Sequence, residues 1–82
     1  MFILVNLYCC KSGLSSIVYK EKYDCFTDAK DNMEGQVEDA IVNHYSEIEE
    51  DGGKISVVRE DKYNVHIYTE GNQDWWTILE VW

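Results

Sequence analysis

The side chains best suited to covalent or acid–base chemistry are few: Cys9 and Cys10 near the start, Cys25 further on, and the two histidines His44 and His66. A thiol activated by an imidazole is a formal nucleophile–base pair. No local signature joins either cysteine of the first pair to either histidine, and cysteines commonly pack as small apolar groups. A metal site wants ligands at spacings such as C-x-x-C or H-x-x-x-H, and neither spacing occurs. Gly52-Gly53 closes a helix and precedes a strand, the reverse of a phosphate-cradling loop. The chain therefore reads as non-enzymatic, with no metal and no cofactor.

A second set of residues carries charge. Residues 24–51 hold ten acids, Asp24, Asp28, Asp31, Glu34, Glu38, Asp39, Glu47, Glu49, Glu50 and Asp51, against the single base Lys30, which accounts for the whole net charge of −9. Outside that segment six acids meet six bases. Asp28, Asp31, Glu38, Asp39, Glu49 and Glu50 project away from the apolar stripe of the expected helix, with no i,i+4 lysine to neutralise them. Glu47, Glu49, Glu50 and Asp51 also crowd the C-terminal end of that helix, where the macrodipole disfavours negative charge by about 0.3–1 kcal/mol each. A single-sign face of this kind is either a solubilising surface or a recognition surface that steers a basic partner. Direct binding to nucleic acid is disfavoured, because phosphate backbones are held by lysine and arginine clusters that the chain lacks.

These groups need a scaffold. Eighty-two residues, 45% of them apolar and including three Trp and six Tyr, suffice for one domain, residues 1–82, with a real core. Residues 2–8, FILVNLY, read as a strand in the middle of a sheet, and the KSG turn leads to an alternating strand over 15–23 with Ile17, Tyr19 and Tyr23 on one face. Thr27 is the expected N-cap of one long helix, ended by Gly52-Gly53. Its apolar stripe is Ala29, Met33, Val37, Ala40, Ile41, His44 and Ile48, which puts His44 beneath the helix. Strands follow at 54–60, 63–69 and 75–81, the first two joined through an Asp61-Lys62 turn. The predicted fold is a two-layer α+β domain of order ββαβββ, one helix on a mainly antiparallel sheet, loosely β-grasp-like.

The terminal segment DWWTILEVW places Trp75 on one face of its strand and Trp76 and Trp82 on the other. One face must be core, and the other is either covered or an aromatic anchor for a partner, since Trp is enriched in binding hot spots. As the last strand, it is also expected to leave an edge free for pairing. The opening MFILV is too short to span a bilayer, and three cysteines, two of them adjacent, suit a reducing, cytoplasmic setting.

A small, proline-free, strongly acidic α+β chain without a catalytic constellation resembles the small inhibitors encoded by phages and mobile elements, such as the anti-CRISPR proteins. The resemblance lies in size, charge and layout. It implies an inhibitor that engages a basic protein, a nuclease or nucleoprotein complex, without catalysis. The expected binding residues are Asp28, Asp31, Glu34, Glu38, Asp39, Glu47, Glu49, Glu50 and Asp51, with Trp76 and Trp82 as anchors. The alternative is a small structural or regulatory subunit forming a homodimer through the Trp-rich terminal strand.

Overall fold

The computed structural model describes residues 1–10, 13 and 15–81. They form β1 (Phe2–Cys9), β2 (Ser15–Tyr23), α1 (Phe26–Ala40), a π-helical turn (Ile41–Tyr45), α2 (Ser46–Glu50), β3 (Ser56–Asp61), β4 (Asn64–Tyr68) and β5 (Gln73–Glu80). The strands make one sheet, in the order β2-β1-β5-β4-β3, antiparallel at every pairing. This is the expected two-layer α+β arrangement with element order ββαβββ. The first strand has a neighbour on each side, which suits its apolar run. Its partner β5 lies at the centre of the sheet rather than at an edge, so the edges belong to β2 and β3.

Strand alternation sorts the sheet into two faces. Beneath the helix lie Leu4, Trp76, Ile78, Val65 and Ile67, which form the core with Ala29, Met33 and Val37 of α1 and with Tyr45. On the opposite face, paired across the strands, lie Leu7, Trp75, His66 and Val58 in one row and Lys20, Val5 and Thr77 in another. His66 thus points away from Val65 and Ile67, as the alternation predicts.

Two single-residue insertions change what simple periodicity suggests. In β2, Asn6 faces Tyr19 but Leu7 faces Ile17, so Val18 is a bulge residue. The bulge flips the phase, leaving Tyr19 on the helix side and sending Ile17 to the open face with Leu7. The helix contains the second. An α-helical period from Val37 reaches His44, whereas the π turn adds one residue and brings Tyr45 to the core. His44 is therefore exposed, and Tyr45 is fully buried in its place.

The helix ends also follow side-chain packing. Cys25, rather than Thr27, is the N-cap, with no side-chain capping bond. The helix starts early because Phe26 is held edge-on between Phe2 at 5.8 Å and Tyr63 at 5.2 Å, a favourable aromatic geometry. At the other end Gly52 has φ +87°, and the N–H groups of Gly52 and Gly53 donate to the carbonyls of Glu49 and Ile48 at 3.0 and 2.8 Å. This is the Schellman pattern that satisfies the last carbonyls. A side chain at Gly53 would meet Ile48 Cγ2 at 2.7 Å, so the second glycine is required by space.

The β3–β4 turn comes one residue later than expected, at Lys62-Tyr63. Asp61 organises it, accepting from the Tyr63 N–H at 2.7 Å and from Asn64 Nδ2 at 3.0 Å. Those bonds, the Tyr63 N–H first, hold the Asp61 carboxyl below its usual range. Among the described residues no helix is long and apolar enough to cross a membrane.

Candidate functional site

The acidic surface comes from the solvent side of the helical stretch. Asp28, Asp31, Glu38, Asp39, Glu47, Glu49, Glu50 and Asp51 are all exposed. Glu34 differs from them. Arg59 reaches across from β3 and donates to both its carboxylate oxygens, at 2.8 and 2.7 Å, while Lys30 approaches from one turn earlier at 3.1 Å. Partial burial pushes the Glu34 carboxyl upward, but the Lys30 bond and the Arg59 charge outweigh it and leave the group below its ordinary range. Glu34 is thus a clamp between helix and sheet rather than a free part of the acidic surface. Among the described residues Lys30 and Arg59 are both paired with Glu34, and no other helix acid forms an ion pair. The Asp39 carboxylate accepts from Asn43 Nδ2 at 2.6 Å.

The aromatic anchors are sorted by the sheet. Trp76, an expected contact residue, is only 2% exposed. Its ring lies in the core, and its indole N–H donates to Gln36 Oε1 at 3.1 Å. That burial removes Trp76 from the accessible surface. Trp82 lies outside the described residues. Among the described residues the tryptophan at the surface is Trp75, 39% exposed. Its ring packs edge-on against His66 at 4.4 Å, and its N–H donates to Asn64 Oδ1 at 3.3 Å. Ile17, Leu79, Tyr68 and Val58 are exposed around it on the same uncovered face. Within this apolar surrounding His66 Nε2 is buried without a hydrogen-bond partner among the described residues, while Nδ1 lies 3.5 Å from Glu60.

Beside the helix, on the covered side of the sheet, a cleft of about 610 Å³ opens between the α1 end and the β1–β2 pair. Asn6, Asp74 and Trp76 line its base, Gln36, Asp39 and His44 one flank, and Tyr8, Val18 and Tyr19 the other. Asp74 is 6% exposed. One of its oxygens accepts from Tyr45 Oη at 2.5 Å and the other from Asn6 Nδ2 at 3.3 Å. Burial raises the Tyr45 phenol well above its ordinary pKa, and its bond to Asp74 raises it further. Tyr8 is raised as well, by burial first and then by the Asp74 charge. Among the described residues no lysine or arginine forms an ion pair with Asp74.

Both sequence insertions serve this cleft. The π turn directs Tyr45 onto Asp74 and leaves His44 at the rim, where it meets Tyr8 edge-on at 6.4 Å. The β2 bulge places Val18 beside Tyr19 in the opposite flank. Of the groups first considered, Cys9 and Cys10 are half-buried, Cys25 is exposed at the helix start, and His44 and His66 lie on opposite sides of the sheet. Among the described residues no cluster of His, Cys, Asp or Glu can hold a metal ion. Compared with family models, curated proteins and solved structures, the chain matches none.

Proposed function

We propose that this chain is a non-enzymatic, acidic protein-binding domain that inhibits a basic, nucleic-acid-handling protein, as its resemblance to small phage-encoded inhibitors implies. The observation that carries this reading is the run of eight exposed acids, Asp28, Asp31, Glu38, Asp39, Glu47, Glu49, Glu50 and Asp51, without a cation paired to any of them among the described residues. Such a surface attracts a basic groove over a Debye length of about 8–10 Å at ordinary salt, and accelerates encounter. A groove that normally holds a phosphate backbone is the chemistry it fits. The acids at the end of α2 are set against the helix dipole, so folding alone gives no reason for them to be there.

A second reading rests on a different observation, the uncovered apolar face around Trp75. A second copy of the chain fits it. The acidic helices would point outward, away from each other. Lys20 and Lys22 on one edge strand would lie over the second copy's Glu60 on the other edge, under a two-fold axis parallel to the strands. This would be face-to-face packing, since β5 is internal and has no free edge.

The test changes Glu38, Asp39, Glu49 and Glu50 together to their amides and compares capture of basic proteins from a lysate at low and high salt. The expected result is an intact or slightly more stable fold, with capture at low salt lost both at high salt and in the variant. Capture that survives the substitution would reduce the acids to a solubilising role. No capture at low salt, with a stable dimer in light scattering, would favour the second reading.

A further inference from the structure

We propose that the cleft between α1 and the β1–β2 pair receives a cationic side chain, a guanidinium or ammonium group presented by the basic partner. This rests on the protein-binding reading and assigns it a specific pocket. Three features carry it.

The first is charge. Asp74 is buried, with one bond accepted by each oxygen and no ion pair to any described residue. A carboxylate oxygen has a second lone-pair site, so each retains capacity for a further donor. A buried carboxylate is ordinarily paired, because its desolvation is otherwise uncompensated. Here the cleft leads to it, and Asp39 stands at the rim as a second acid.

The second is the composition of the flanks. Tyr8 and Tyr19 stand on the sheet side, His44 on the helix side, and the edge of Trp76 lies at the base. Aromatic faces attract cations, by about 0.5–1 kcal/mol in exposed settings and about 2 kcal/mol when desolvated. Aromatic rings converging with a carboxylate favour an organic cation over an anion or a neutral polar group. The third is size. About 610 Å³ exceeds what one side chain needs and is open to solvent, which suits a group delivered on a peptide.

The polar atoms at the base are also held in place. Asn6 Nδ2 bonds both Asp74 and the Trp75 carbonyl, each at 3.3 Å, and the Tyr45 hydroxyl fixes the other carboxylate oxygen. The carboxylate is therefore pre-oriented before a cation arrives, which lowers the ordering cost of binding.

The experiment titrates the full chain with acetyl-arginine-amide and with its neutral counterpart acetyl-citrulline-amide, followed by amide and indole resonances. The expected result is saturable shifts at Asn6, Gln36, His44 and the Trp76 indole with the arginine compound only. Asp74→Asn is expected to weaken them at least about tenfold. Because Asp74 also supports the core, Val18→Trp serves as a second variant, narrowing the cleft from its outer flank without touching the carboxylate; it too is expected to lose the shifts. Equal shifts with the citrulline compound, or arginine shifts confined to Glu38, Glu49 and Glu50, would overturn the cleft assignment. In the latter case the acidic surface would still bind a basic partner. Arginine still entering the cleft when Glu38, Glu49 and Glu50 alone are changed to glutamine, with Asp39 kept at the rim and salt-sensitive capture lost, would leave the cleft assignment standing.

Discussion

Trp75 and Trp76 are consecutive, chemically identical and opposite in fate. Trp76 is enclosed by α1, β1 and β4, with its indole N–H bonded to Gln36. Trp75 lies on the uncovered side of the same strand, bonded to Asn64 and resting on His66. The difference is made by the helix rather than by β5. A single helix can cover only one side of a sheet, and the opposite side keeps its apolar residues in the open. One strand thus carries a stability determinant and a candidate contact residue side by side.

Substitution can separate the two roles. Trp76→Ala should have the largest effect, destabilising the fold by about 3–5 kcal/mol, as large aromatic deletions in cores do; thermal or urea unfolding checks it. A cost below about 1 kcal/mol would mean that the covered side is not the core. Next comes Tyr45→Phe, which removes the hydroxyl from the buried Asp74 carboxylate and should cost about 1–3 kcal/mol by the same measurement. An unchanged midpoint would show that the carboxylate does not depend on its tyrosine. Trp75→Ala should cost the least, under about 1 kcal/mol in the monomer. Melting that fell as far as for Trp76→Ala, and grew more sensitive to protein concentration in the parent chain, would mean that the open side is covered by a second copy.

Much of the scaffold was legible. Alternation located β1, β2 and the three later strands to within two residues at each boundary, and the glycine pair correctly ended the helix. The segregation of charge onto the helix was visible from residue counts alone. What escaped was phase and distance. One inserted residue in β2 moved Ile17 to the other side of the sheet, and one inserted residue in the π turn exchanged His44 for Tyr45. Neither carries a composition signal, because each arises where a bulky side chain finds a better tertiary position than regular geometry gives it. The side of β5 that faces the helix was equally hidden, since both sides of that strand are apolar. The cleft was invisible for another reason: Asn6 and Asp74 are 68 residues apart, and Tyr45 and Asp74 are 29 apart. Charge counting also missed that Arg59 of β3 would take Glu34 out of the acidic surface.

The central pairing of β1 with β5 has a consequence for how the molecule comes into being. Phe2 lies opposite Glu80, and the Val81 N–H reaches back to the Met1 carbonyl at 2.9 Å. The β1–β2 hairpin can form early, but its inner edge must wait for the last strand to be made. Until then Leu4 and its neighbours have no floor on one side, and the helix has half a sheet to rest on. Closing so long a loop is entropically costly and slows folding relative to chains whose contacts are local. On a ribosome the nascent chain would therefore remain open until β5 has cleared the exit tunnel, and only then would core, cleft and acidic surface appear together.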